Sequence, residues 1–305
     1  MNEQPPKSKR RWLRFSLRSM LLLVVVIAIP IAWKVNRARN QRVVVAELEK
    51  LNADLIYDYQ IVATNGVRSY DFYAPPPGPK WLTALLGKEY FVEVRKVCAD
   101  GAAVTNETLA LIAKLPDIEQ VELVNLDSEP GITDDGLVHF SKMQSLQAIV
   151  LHSNRISGVG LEHLTGLKRL TTLMAIGWNT DASLEHVSKL KSLEDLSLIE
   201  VRRITEKGLA QIAKLRNLRS LCIGTGGWNG DDSGIRDCMN VTESGLANLY
   251  ELKNLESLTL NTTRVTRIGR DKLQKALPNC QIQWNSNGPN DSDAIDGDSD
   301  QQLEE

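Results

Sequence analysis

Residues 179–198 read NTDASLEHVSKLKSLEDLSL, and residues 204–223 read ITEKGLAQIAKLRNLRSLCI. Laid one over the other, they share a grammar. A threonine stands second, with apolar residues at the sixth, ninth and twelfth places (Leu184, Val187, Leu190; Leu209, Ile212, Leu215). That spacing gives a helix one buried stripe, and a hydroxyl followed by a first-turn acid caps a helix start. The period then switches to two in Leu193-Glu-Asp-Leu196-Ser-Leu198 and Leu218-Arg-Ser-Leu221-Cys-Ile223, so alternate side chains point to opposite faces of a short strand.

The same pattern extends both ways. VTNETLALIAKL begins at 104, ITDDGLVHFSKM at 132, ISGVGLEHLTGL at 156, VTESGLANLYEL at 241 and a worn VTRIGRDKLQKAL at 265. Successive starts lie 28, 24, 23, 25, 37 and 24 residues apart, and near-equal spacing of this kind marks a solenoid. A lone strand-plus-helix unit cannot bury its apolar faces, so the copies must stack on one another. Parallel strands ~4.8 Å apart, with helices needing ~8–10 Å each, predict an α/β solenoid: a curved sheet lining the concave face and helices on the convex one.

The pattern resembles the leucine-rich-repeat family, and more narrowly its Thr- and Gly-containing variant of ~24 residues, also seen in F-box-associated arrays. Bacterial membrane-anchored members with a short basic–apolar leader look most similar. The resemblance covers about residues 80–284 and implies protein–protein interaction. The Asn that many members place after the strand survives only as Asn154, with Leu126, Trp178, Val201 and Thr263 at the corresponding places, so an asparagine ladder cannot be carried over.

The flanks read differently. Met20–Trp33 is an unbroken fourteen-residue apolar run, with six basic residues before it and Lys34, Arg37, Arg39 and Arg42 after it. Fourteen residues fall short of the ~20 that a span needs, yet no small-x-small cleavage site follows. Trp12 and Trp33 bracket the segment 21 residues apart, about 31 Å of helix. Residues 12–34 therefore read as an uncleaved signal-anchor, with a cleaved signal peptide as the alternative, and 1–42 as a basic leader with that anchor. The heavier positive flank places the N-terminus in the cytoplasm and the repeats outside. Residues 43–79 read as a linking segment, with an amphipathic helix at 41–55 and stiff Ala74-Pro-Pro-Pro-Gly-Pro79. The repeat domain runs over 80–284: Trp81–Gly87 is a short helix expected to cap the stack, Val94, Val97 and Ala99 begin the sheet, and Leu277–Ile282 closes it. Residues 285–305 hold seven acids and no bases, an acidic disordered tail.

Charge follows this division. The chain of 305 residues carries a net −2, but residues 1–42 hold +9 and residues 43–305 hold −11. Neither an acidic body nor the near-neutral total suits a nucleic-acid binder. Four cysteines in such a length make no disulfide scaffold and no zinc site. Cys222 and Cys238 would be able to pair outside the cytoplasm.

Strand positions turned away from the core supply the candidate partner-binding surface: Val124, Val150, His152, Met174, Ile176 and Ile199, with Glu122, Asp195 and Ser197 beside them. A contiguous apolar stripe rimmed by polar groups is what a protein-binding face requires, although β-propensity alone would also put Val and Ile there. The 37-residue repeat carries an insertion at 224–240, GTGGWNGDDSGIRDCMN, where Trp228 suggests a contact anchor and Asp231 and Asp232 suggest calcium; a tolerated loop reads equally well. His139, His163 and His186 recur at one repeat position, but helices ~8–10 Å apart are too far for two imidazoles to share one ion. No nucleophile–base or paired-carboxylate arrangement can be assembled, so neither enzyme chemistry nor a cofactor is expected. The expected function is a membrane-tethered module that binds a protein partner through its concave face and the 224–240 loop. The alternative is a calcium- or glycan-dependent envelope or adhesion component.

Overall fold

The computed structural model describes residues 17–286 except 65–66, 102, 126–128, 154, 178–179, 200–203, 225–240 and 264. Trp12, Leu126, Asn154, Trp178, Val201, Trp228, Asp231, Asp232, Cys238 and the acidic tail, singled out from the sequence, lie outside the described residues.

Nine strands form one sheet. It begins with β1 (Asp54–Tyr57), which pairs antiparallel with β4 (Val94–Asp100). From β4 the order is sequential and parallel through β5 (Gln120–Val124), β6 (Ala148–His152), β7 (Thr172–Ile176), β8 (Asp195–Ile199), β9 (Ser220–Gly224), β10 (Ser257–Thr263) and β11 (Gln281–Ser286). A hairpin of β2 (Ile61–Thr64) and β3 (Val67–Tyr70) stands apart as a second sheet. The additional strand expected from Val94, Val97 and Ala99 is β4.

The two-residue period sorts each strand as the sequence requires. Val121 and Leu123, Ile149 and Leu151, Leu196 and Leu198, and Leu258 and Leu260 all lie in the core. They meet the convex layer: α3 (Asn106–Ile112), α4 (Asp181–Val187), α5 (Glu206–Ile212), α6 (Glu243–Leu246) and α7 (Arg267–Ala276). Three segments expected to be helices of the same kind are instead wound as 3-10 turns, over Asp134–Lys142, Val159–Leu164 and Ala247–Glu251. The 3-10 winding is tighter, yet the sixth and ninth positions of these repeats stay buried, as Leu137 and Phe140, Leu161 and Leu164, and Leu246 and Leu249 show.

The repeat starts are tied to one another by side chains. Asp134 accepts the Ser157 hydroxyl at 2.6 Å, Asp181 the Thr205 hydroxyl at 2.6 Å, Glu206 the Thr242 hydroxyl at 3.2 Å, and Glu243 the Thr266 hydroxyl. The acid after each capping hydroxyl thus reaches forward to the hydroxyl of the next repeat. Asn106 does the same for Thr133, donating to its hydroxyl at 2.8 Å and accepting its N–H at 3.0 Å. The ladder is interrupted at Gly158, which has no side chain to offer.

The N-terminal end holds the largest departure from the sequence reading. Residues 17–50 are a single helix, α1 (Leu17–Lys50), continuous through Pro30. Ala38, Gln41, Val44, Val45 and Leu48 recur at helical spacing and are buried on the first layer of the stack. Gln41 donates to the Val92 carbonyl at 2.8 Å, and Arg37 pairs with Glu93 at 2.8 Å and with Asp117. The helix stops at Asn52, left-handed at φ 55°, with Ala53 N–H returning to the Leu48 carbonyl and Asn52 N–H to Glu49. The chain then turns into β1, so the amphipathic helix expected to reach residue 55 ends at 50.

The cap expected of Trp81–Gly87 is correspondingly displaced. A helix does form, α2 (Lys80–Leu86), stopped by Gly87 at φ +87°, but it buries none of its residues. The second half of α1 covers the stack in its place, because its apolar stripe is longer and faces the open end of the core.

Candidate protein-binding face

Strand register fixes which side chains are neighbours on the concave wall. Its middle column runs Cys98, Glu122, Val150, Met174, Ser197, Cys222 and Thr259. Beside it runs Asp100, Val124, His152, Ile176, Ile199 and Gly224. The third column is polar apart from Ala148, running Lys96, Gln120, Ala148, Thr172, Asp195, Ser220 and Ser257. Val124, Val150, Met174, Ile176 and Ile199 therefore form one apolar area across β5–β8, with His152 set among them.

Most of these side chains are half-buried, each shielded by its neighbours. Ile176 is the exception. The expectation that it belongs to the exposed surface is corrected, since only 7% of it is exposed. It lies at the strand end, between His152 and Ile199 in register.

Glu122 sits at the N-terminal border of this area and is already engaged. Lys96 pairs with it at 3.1 Å, and the Cys98 thiol donates to it at 3.6 Å. Tyr70 of β3 leans in from the hairpin, its hydroxyl donating to Gln120 at 2.8 Å and its ring 5.4 Å from the Lys96 ammonium. Burial, reinforced by the Glu122 carboxylate and opposed by Lys96, pushes the Cys98 thiol up to about 11. That thiol is neutral at pH 7 and a poor nucleophile. Burial also raises the Cys222 thiol. Cys222 is half-buried in β9, while its suggested partner Cys238 lies outside the described residues, as does the insertion with Trp228.

Asp195 lies in the polar column, with the Thr172 hydroxyl donating to it at 3.5 Å. Partial burial raises its carboxyl above the usual carboxylate value, helped by Glu194. A carboxylate held this way favours a cationic partner group, which would restore the solvation it has lost.

The sequence reading missed the role of Asn125. This residue stands one place earlier than the position assigned to the asparagine ladder. It is buried, and its amide donates to the Val104 carbonyl at 2.6 Å and to Gly101 at 3.3 Å. Ser153 fills the same place one repeat later, donating to Ile132 at 3.0 Å. These bonds satisfy backbone carbonyls in the turn leaving the concave wall, and so hold the rim in shape. The signal was present, as a polar residue two places after the last strand leucine.

Among the described residues no grouping of three or more His, Cys, Asp or Glu side chains is placed to hold a metal ion. At the other end of the chain, the helical stretch Met20–Lys50 is long and apolar enough to cross a membrane by length and composition.

No family model matches the chain, and no curated protein does. Solved structures do. Internalin C2 of Listeria monocytogenes is 19% identical over 67% of this chain and 76% of that one, at a TM-score of 0.44. An internalin (inlF) of the same species is 18% identical over 59% of this chain and 51% of that one, at 0.38. A chain of the yeast Rad7–Elc1 complex is 17% identical over 88% of this chain and 73% of that one, at 0.42. At identities and TM-scores this low the likeness carries no argument, and the fold rests on the geometry of the chain itself. With a strand-and-helix unit repeated every ~24 residues, parallel strands in register and a convex layer locked repeat to repeat, the chain is a leucine-rich-repeat solenoid.

Proposed function

We propose that this protein is a non-catalytic, membrane-tethered capture module that binds a protein partner on its concave wall. The observation that carries this reading is the register of β5–β8, which makes one apolar area of Val124, Val150, Met174, Ile176 and Ile199. An apolar centre bounded by a polar column is the anatomy of a protein interface. Val150 and Met174, adjacent in register, are its centre. Asp195 on one side and the Lys96–Glu122 pair at the end set charge selectivity. The 224–240 loop, with Trp228, adds contacts at the rim.

In the same proposal α1 is an uncleaved anchor with its N-terminus in the cytoplasm, so the solenoid works outside the cytoplasm. The exposed apolar side chains of Met20–Trp33 and the six-to-four excess of basic residues before the run support it.

The experiment is crosslinking in intact cells, with wild type against Val150→Lys/Met174→Lys. Two buried-edge cations in an apolar centre abolish capture while the circular dichroism and urea midpoint stay near wild type. A crosslinked species that survives the double substitution removes this face as the site. The calcium- or glycan-dependent alternative turns on Asp231 and Asp232, which lie outside the described residues; a calcium-induced rise in melting temperature would favour it.

A further inference from the structure

α2 is an oddity for a soluble surface. Its sequence is KWLTALL, none of its residues is buried, and Trp81 and Leu85 are 69% and 72% exposed. They are four residues apart and so share one face of the helix. Large apolar side chains left this bare on a short helix mark a contact surface rather than a core element.

The position of that face says what covers it. Leu85 and Leu86 line a shallow groove together with Val35, Arg39 and Arg42 of α1. Arg42 donates to the Leu86 carbonyl at 2.7 Å and pairs with Glu89 at 3.2 Å. Past Gly87 the chain doubles back, and the Tyr90 ring lies 5.2 Å from the Lys34 ammonium. Lys34 immediately follows Trp33, the last residue of the apolar run. At 1.5 Å per residue, the α1 residues of this groove, from Val35 to Arg42, lie about 3 to 14 Å beyond Trp33 along the axis. α2 therefore sits at the depth where α1 leaves its apolar stretch.

The chemistry at that depth suits a lipid surface. Trp33 is 61% exposed, and Lys34, Arg39 and Lys80 are exposed around the two apolar side chains. Aromatic rings with basic neighbours are the composition of a bilayer interface, where the indole takes both the acyl boundary and the headgroups. The acid of this corner, Glu89, is already held by Arg42. A rigid link is also present: α1 runs unbroken into the cap of the solenoid, so α2 cannot be swung away from the surface that α1 enters without unseating Val44, Val45 and Leu48.

We propose that the Trp81/Leu85 face of α2 inserts into the headgroup region of an anionic phospholipid bilayer beside α1, so that the first layer of the solenoid rests on the membrane and the concave wall is held at a fixed angle to it. This rests on the reading of α1 as a membrane span.

The test reconstitutes the full chain in nanodiscs containing phosphatidylglycerol, with and without bromine on the lipid acyl chains, and compares wild type with Trp33→Phe and Trp81→Phe. Bromine quenches only indoles at the bilayer. Each substitution is expected to remove its own share of quenchable emission, and Leu85→Glu to reduce the share owed to Trp81. If Trp33→Phe removes quenchable emission and Trp81→Phe removes none, α1 enters the bilayer but the α2 face does not, and this inference is overturned while the anchor stands. That outcome includes the case of a protein covering α2. If neither substitution removes any, the anchor falls and the inference with it. Both variants should keep the wild-type circular dichroism, since neither ring is part of the core.

Discussion

At the scale of single residues, Asp134 shows how a repeat consensus is written by contacts that the local sequence does not reveal. A first-turn acid reads as a helix-dipole partner. In the structure its carboxylate also accepts the Ser157 hydroxyl and the N–H groups of Ser157, Gly158 and Gly160, at 2.6–3.1 Å. Partial burial alone would raise its carboxyl, but these four bonds more than offset burial and hold it below the usual carboxylate value. A group whose folded value is depressed contributes stability at neutral pH and loses it as the pH falls below about 4. Asp134→Asn should therefore be less stable than wild type in urea melts near neutral pH, and the gap should narrow as the pH falls below about 4. A gap that does not change with pH would mean the carboxylate charge is not what these donors recognise. Ile176 teaches the complementary lesson: alternation placed it on the concave wall, but tertiary packing leaves only 7% of it exposed.

At the scale of elements, the glycine at the fifth place of several repeats follows from how closely helix starts approach one another. A Cβ on Gly208 of α5 would lie 2.4 Å from the Asp181 carboxylate, which also accepts the Thr205 N–H at 2.8 Å. Alanine is the better helix former by about 1 kcal/mol, yet crowding a packed site costs typically 1–3 kcal/mol and here also disturbs that bond. Gly208→Ala is expected to lower stability by about 1 kcal/mol in urea titration. Gly166→Ala, where an added Cβ meets nothing within 4 Å, should be neutral or mildly stabilising. Equal effects at the two positions would refute the steric account. Ser183 breaks the glycine rule for a visible reason. The residue it faces in the previous repeat is Gly158, and the missing side chain there leaves room for Ser183 to bond its own cap, with the Thr180 N–H at 2.8 Å. The pair is 25 residues apart in sequence, so each looked like an unrelated exception to the pattern.

At the scale of the whole molecule, the solenoid is a line of layers, each stabilised by its neighbours, and its ends decide whether it holds. The N-terminal end is closed by α1, the other by Trp284 of β11, whose indole donates to the Val265 carbonyl at 3.0 Å. Leu48 is fully buried at the first of these closures. Leu48→Ala should cost about 2–5 kcal/mol. Because each layer touches only the next, amide exchange should accelerate most in β1 and β4 and least in β10. A uniform loss of protection across all strands would show that the stack unfolds as one unit and that α1 is not an end cap in the energetic sense. The same helix carries the apolar run of Met20–Trp33, so the element that closes the core also sets where a membrane would meet it.

The sequence by itself determined the period, the alternation of strand and helix, the inward and outward faces of each strand and the apolar run at the N-terminus. These are legible because they depend on residues two to four places apart, where backbone geometry alone fixes which side chains share a face. Only the tertiary structure decided which helix caps the stack, that Asn125 and Ser153 hold the rim, that the acids bridge one repeat to the next, and that Ile176 is buried while Val150 and Met174 stay half-exposed. Each of those depends on groups 20 or more residues apart, whose meeting is set by strand register and by the competition of apolar stripes for the open end of a core.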